Sequence, residues 1–438
     1  MHRNAARTLL VAVLVLFSAP LASRAQQPSP AGQPAAPVPA AQTQTGSLDD
    51  TPLAAGDEEL ATPARELVTW NQYNGDVFYF RVGGGFLYDY AAYSQNAASK
   101  EQFALLPDTK VRDARMVVKG GFKFERPITW SFGLMYDPPT SDFLVRETGV
   151  MIAVPEVLGY IFVGRTKEGF SLNKVMVGYA GWTMERTEIS DATLPILADG
   201  IKWLGYAPKK HLIWNLGAYN DWLSEGQTFS TYEHQVVGRL AWVPVENEQT
   251  VLHIGGSLRQ GEVLNGQLQV RSRPEAFEAP FFIDTGKFPA ESSTMQGVEA
   301  YYRPRSFLVG GEYFFQHVNS PETGNPFFHG GNVVMTWLPT GEIRGYNTRG
   351  GFFNQISPLR PVFTGGPGAW EIVANLSYID LDSGSIQGGK FWRFTPMVNW
   401  HMSDQVRLEF AYGYGSLDRF GIRNGVTQFF QSRIQLQL

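Results

Sequence analysis

From Asp76 to the end of the chain, apolar and polar side chains alternate with a period of two, in runs broken by turn signals. In Asp76–Tyr90 the even positions Phe78, Phe80, Val82, Phe86, Tyr88 and Tyr90 are apolar or aromatic, and the odd set holds Tyr79, Arg81 and Asp89. Val111–Glu125 sets Ala114, Met116, Val118, Gly120, Phe122 and Phe124 against Asp113, Arg115, Lys119, Lys123 and Glu125. Successive side chains of a strand point to opposite sides, so each run predicts a strand with one apolar and one charged face. The second run is 15 residues long, whereas soluble strands cluster near about 5–6.

The pattern recurs at Trp130–Tyr136, Tyr232–Trp242, Trp370–Tyr378 and Val406–Tyr414. In the second of these, Tyr232, His234, Val236, Gly238, Leu240 and Trp242 share one face, and Gln235, Val237 and Arg239 the other. Asp137-Pro138-Pro139, Glu246-Asn247-Glu248, Gly365-Gly366-Pro367-Gly368 and Ser403-Asp404 read as turns between runs. No segment offers a capped apolar stripe of helical period. The final run places Phe430, Ile434, Leu436 and Leu438 on one face and Gln431, Arg433, Gln435 and Gln437 on the other. In a soluble sheet such an edge recruits other chains. A barrel in a membrane needs this same arrangement, with an apolar face toward lipid, a polar face toward the lumen and no open edge. Membrane strands take about 10 residues each, so the ~360 residues that carry the pattern accommodate about 16 of them. The reading is an all-β fold, a transmembrane antiparallel β-barrel of about 16 strands.

The beginning of the chain differs. Arg3 and Arg7, the apolar run Leu9 to Phe17 and the small residues around Ser23-Arg24-Ala25 form a cleavable secretory signal over residues 1–25. The apolar run is too short to span a bilayer as a helix. Residues 26–66 are rich in Pro, Ala, Gln and Thr and end in an acidic run. Too little apolar material is present there to offset the entropy of ordering, so a disordered linker is expected. The barrel domain then occupies 67–438, and export without a helical anchor points to the cell outer membrane.

Composition narrows the chemistry. The chain has no cysteine, which excludes disulfides and thiolate sites. Loss of Arg3, Arg7 and Arg24 with the signal leaves 33 basic against 41 acidic side chains, so nucleic acid is not an expected partner. There is no phosphate-binding loop, no His-Glu-x-x-His and no Gly-x-Ser-x-Gly. The histidines left after cleavage, His211, His234, His253, His317, His329 and His401, lack ligand spacing, so neither metal nor cofactor is expected, and no enzyme activity. Candidate function lies on the polar face. Arg81, Arg115, Lys119, Lys123 and Arg239 fall there, Arg165 and Lys167 share a face, and so do Arg271 and Arg273. Guanidinium and ammonium groups along an aqueous path can replace part of an anion's hydration. The alternative is that these cations only solvate the wall, cancelled by Asp113, Glu125, Glu371 and Glu409.

Several stretches add a resemblance. Gly368-Ala369-Trp370-Glu371-Ile372-Val373, Ser377-Tyr378-Ile379-Asp380-Leu381, Val398-Asn399-Trp400 and the closing Phe430-Gln431-Ser432-Arg433-Ile434-Gln435 resemble the C-terminal third of the phosphate-selective porin O and P family. Arg112-Asp113-Ala114-Arg115, the run Val163–Leu172 and Met184-Glu185-Arg186 resemble its earlier part more loosely. The resemblance implies a homotrimeric outer-membrane channel of 16 strands with an inward-folded loop. It also implies basic side chains that guide phosphate or polyphosphate, among which Arg165 and Lys167 carry over. The chain departs from the family pattern in closing on Leu438 rather than Phe, and in Gly169 where proline is common. The expected function is passive diffusion of small anions such as phosphate through a barrel seated in outer-membrane lipid. A weakly selective porin and an adhesion or structural barrel are the alternatives.

Overall fold

A computed structural model describes residues 71–137, 142–220 and 232–438. The stretches read above as signal and linker lie outside the described residues. Sixteen antiparallel strands close into a barrel. The first five are β1 (Phe78–Gln95), β2 (Asp108–Phe122), β3 (Ile128–Asp137), β4 (Asp142–Val145 and Thr148–Val154, one interrupted strand) and β5 (Gly159–Thr166). Next come β6 (Ala198–Ala207), β7 (Leu212–Asn220), β8 (Tyr232–Glu246), β9 (Thr250–Val263) and β10 (Ser292–Pro304). The wall finishes with β11 (Phe307–Asn319), β12 (Phe327–Trp337), β13 (Ala369–Ser383), β14 (Ile386–His401), β15 (Val406–Arg419) and β16 (Ile422–Gln437).

β16 pairs with β1, from Gly85 opposite Gln437 to Gln95 opposite Thr427. Leu438 adds a backbone bond of 2.9 Å from its N–H to the Gly84 carbonyl. The terminal strand therefore has no free edge. Its alternation falls as the sequence predicts: Phe430, Ile434, Leu436 and Leu438 face outward, while Gln431, Arg433, Gln435 and Gln437 are buried inside.

Bulges interrupt the ladder at several points, and two of them displace residues that the sequence pattern misplaces. A register shift between Tyr232 and His234 sends Tyr232 inward, although its even-numbered partners Val236 and Leu240 are 64% and 59% exposed on the outer face. The expected face therefore holds from His234 onward and fails at Tyr232. A second shift, opposite Leu87 and Tyr88, leaves Arg112 as the extra residue of β2. Bulges re-aim side chains in this way because two residues on one strand oppose one on its neighbour.

The outer wall carries a belt of indoles at one end. Trp203 and Trp214 meet edge to face at 5.3 Å, Trp370 and Trp400 stack at 5.0 Å, and Trp242 and Trp337 are exposed beside them. All six lie toward the end of the barrel at which β1 begins and β16 finishes. Indole suits the boundary between lipid and water, where its ring is buried and its N–H stays wet.

Strand order puts two long connections, 167–197 and 264–291, at one end of the barrel and a third, 338–368, at the other. All three fold into the lumen. Phe170, Ile189 and Leu194 pack with Leu268, Val270, Ala276 and Phe282 against the inner wall. Leu172, Val175, Met176 and Trp182 pack with Phe352 and Phe353. Trp182 is fully buried, 5.5 Å from the Tyr301 ring and 6.3 Å from that of Phe353. Inward positions of the wall therefore include Ala241, Val243, Val251, Val334 and Val373, which cover these segments. The short helices Ala97–Gln102, Leu172–Val175 and Glu188–Thr193 also lie in connections.

Candidate functional site

A segment inside a barrel has no neighbouring strand to satisfy its backbone, and a buried carbonyl left alone is costly. The wall and the inward segment 338–368 supply the missing donors. Along 179–182 four consecutive carbonyls accept from side chains: Tyr179 from Gln435 at 3.2 Å, Ala180 from Arg344 at 2.8 Å, Gly181 from Arg407 at 2.8 Å and Trp182 from Asn399 at 2.9 Å. Arg433 donates to the Met184 carbonyl. Segment 264–291 is held likewise, by Arg419 on the Phe282 carbonyl at 2.8 Å, Gln431 on Glu275 at 3.1 Å and Arg393 on Pro274. Arg239 reaches the Gly351 carbonyl of 338–368 at 2.7 Å. Arginine suits this work because one planar group can serve a carbonyl and a carboxylate at once.

The carboxylates are present too. Arg165 meets Asp199 at 2.7 Å, directly opposite in register. Arg239 meets Glu299 at 2.7 Å, Arg259 meets Glu168 at 2.9 Å and Arg344 meets Glu371 at 2.7 Å. Arg407 pairs with Glu409, and Arg433 with both Asp89 and Glu185. In the loop, burial alone would raise the Glu185 carboxyl, but the guanidiniums of Arg112 and Arg433 outweigh it and hold it down at about 2. His253 is also spent internally: its Nε2 meets Glu299 at 2.8 Å and its Nδ1 meets the Tyr346 hydroxyl at 2.7 Å.

The residues singled out in the sequence fall in several places. Arg81 on β1 stands opposite Lys119 on β2, and Arg115 lies on the same inner face. Arg115 pairs with Asp113, Nε to Oδ1 3.0 Å, and its guanidinium lies 4.5 Å from the Tyr179 ring centre. Lys167, just past β5, donates to the Met176 carbonyl at 3.2 Å. Arg239 belongs to the cluster around Glu299 and His253. Lys123 is exposed in the turn after β2. The structure thus joins Arg81, Lys119 and Arg115 on one face and sets Arg165, Lys167, Arg239 and Lys123 elsewhere. Arg259 and Arg393 were not singled out, although each alternates with outward residues (Leu258, Trp392 and Phe394) and was open to the same reading. Arg112 was hidden by its bulge.

The family model for phosphate-selective porin O and P matches residues 80–438. The chain belongs to that family. An uncharacterized protein of Caulobacter vibrioides is 30% identical over 195 residues, which is 43% of this chain and 38% of that relative. The chain therefore spans about two fifths of that curated relative's length. Among solved structures, OmpT of Vibrio cholerae superposes with a TM-score of 0.55 at 11% identity, covering 83% of this chain and 99% of that one. The outer membrane channel DcaP of Acinetobacter baumannii gives 0.53 at 8% identity, over 84% and 99%. The anion-selective porin from Comamonas acidovorans gives 0.52 at 13%, over 82% and 100%. These similarities show a common barrel, and the barrel of this family member is an outer-membrane porin fold.

Proposed function

We propose that this porin O and P member lets small anions diffuse across the outer membrane, with a lean to phosphate and related oxyanions. One observation carries the reading. Arg81 and Lys119 face each other across β1 and β2, and the buried Nε of Arg81 has no acceptor among the described residues. The pair brings two cations to one place on the inner face, where a passing oxyanion can accept the spare Arg81 donor. Arg115 extends the same face. Weak, repeated contacts of this kind allow an ion both to enter and to leave. The family's description as phosphate-selective supports the same solute class.

A second reading, a weakly selective pore, is favoured by the carboxylates beside Arg115, Arg165 and Arg239. Chloride current through the purified protein in planar bilayers separates the two. Millimolar phosphate reduces that current if the cations form a binding path, and leaves it unchanged if they only solvate the wall. A homotrimer is part of the proposal. β5 and β7 are 8 and 9 residues long against 18 for β1, so one stretch of wall is low enough to be covered by a neighbour. Cross-linking that stops at three subunits supports this, and a monomer throughout contradicts it.

A further inference from the structure

Arg271 and Arg273 sit in the segment 264–291, where Arg271-Ser272 pairs with Ile283-Asp284 in a small hairpin. Side chains two apart project to the same side of such a ribbon. Two phenylalanines of the same segment interleave with them. The Arg112 guanidinium lies 4.6 Å from the Phe277 ring centre, and that of Arg273 lies 5.4 Å from it. Arg273 is also 4.5 Å from the Phe281 ring, and Arg271 lies 4.1 Å from that same ring. The order is cation, ring, cation, ring, cation, with the Lys110 ammonium 5.9 Å from Phe277 at the wall.

The inner members of this row are fixed. Arg112 is held by Glu185 at 2.7 and 2.9 Å, and Arg273 donates to the Ala279 carbonyl. Arg271 at the end is exposed, and its guanidinium makes no hydrogen bond or ion pair among the described residues. A free planar fork therefore stands over a phenyl ring at the edge of an inward loop. Carboxylate fits that fork with two parallel hydrogen bonds in the plane of the guanidinium. An aryl ring attached to the carboxylate presents a π-face to the other cations of the row, while a saturated ring has none. Burial holds the Arg273 pKa below its ordinary value, with the Arg112 and Arg271 cations adding to the effect and the Asp191 and Glu185 carboxylates opposing it.

We infer that the row formed by Arg112, Phe277, Arg273, Phe281 and Arg271 is a capture site for planar aryl carboxylates. The inference rests on the anion-conducting reading above and extends it to a second solute class. A carboxylate without a ring gains only the charge term, and one with a saturated ring gains charge and bulk without stacking. Stacking of a π-face on guanidinium is a modest attraction at an exposed site.

The test is block of potassium chloride current by benzoate, cyclohexanecarboxylate and acetate in planar bilayers. Reversal potential in the same membranes reports the charge preference independently. Benzoate is expected to reach half-block at about one fifth of the cyclohexanecarboxylate concentration, with acetate weaker than both. In Phe281→Leu and in Arg271→Gln that ratio is expected to fall toward one. Heat-modifiable gel mobility confirms that each variant barrel is folded. Equal block by the two ring acids in the unmodified protein, or a ratio that survives in both folded variants, overturns the inference. A cation-selective reversal potential overturns the anion reading instead, and the benzoate ratio still decides this one.

Discussion

Arg433 of β16 and Asp89 of β1 stand directly opposite each other where the barrel closes, with Nε 2.6 Å from Oδ1. The same guanidinium holds Glu185 and the Met184 carbonyl of the inward segment. One side chain thus fixes the register of the closing strands and the seat of the loop. Burying such a pair gives little net stability relative to apolar replacements, whereas removing one partner strands a buried charge at about 3–5 kcal/mol. Register is the better account of its use, since a slip by one residue turns every side chain of β16 to the wrong face.

Arg433→Met is therefore expected to lower the urea midpoint of the folded barrel more than Asp89→Asn does. The first leaves Asp89 and Glu185 without their shared cation, and the second leaves Arg433 still paired with Glu185. Equal midpoints for the two variants contradict this account of the pair.

The carbonyls of 179–182 supply a second prediction. Asn399→Ala leaves the Trp182 carbonyl buried without its donor, a loss of about 1–3 kcal/mol. Trp182→Ala removes the largest apolar anchor of the same segment, about 3–5 kcal/mol. Both variants are expected to assemble but to show larger and noisier single-channel currents, as segment 167–197 leaves its seat more often. Currents indistinguishable from the unmodified protein in both cases refute the anchoring role.

Arg115→Glu and Lys119→Glu are each expected to lower anion preference without preventing assembly. Both residues lie on the inner face of β2, on the side of the wall that meets the lumen. Unchanged ion selectivity in the purified variants shows that these side chains do not face the conducting path.

Much of this was legible in the sequence, and the remainder has identifiable causes. Strand faces could be read because lipid enforces a strict two-residue period on the outer wall, as in Phe430, Ile434 and Leu436. Tyr232 and Arg112 escaped because a bulge inserts one residue and inverts that period locally. Trp182, Phe352 and Phe353 gave no signal, since the inward segments carrying them are irregular. The ion pairs were invisible for another reason: Asp89 and Arg433 lie 344 residues apart, and only closure brings them together. Hence Arg165 and Arg239 could be placed inside the barrel without any sign of the carboxylates they meet.

Conductance should also depend on pH. Burial, with the Arg186 cation adding, brings Lys174 down to about 7. Burial, with Asp89 and Glu185 adding, brings Glu278 up to about 7. Raising the pH from about 6 to about 8 discharges the lysine and charges the carboxyl, so the interior becomes more negative on both counts. Anion preference is expected to fall across that interval. In Lys174→Met with Glu278→Gln the dependence is expected to flatten. A preference that rises with pH contradicts the assignment.

The most direct test of the central claim is the reversal potential of the purified protein in a potassium chloride gradient. An anion-conducting porin lined by Arg81, Arg115 and Lys119 gives the sign set by chloride, shifting toward zero in Lys119→Glu. A potential of the sign set by potassium in the unmodified protein contradicts the anion pathway, while the barrel and its closing pair of Asp89 and Arg433 stand.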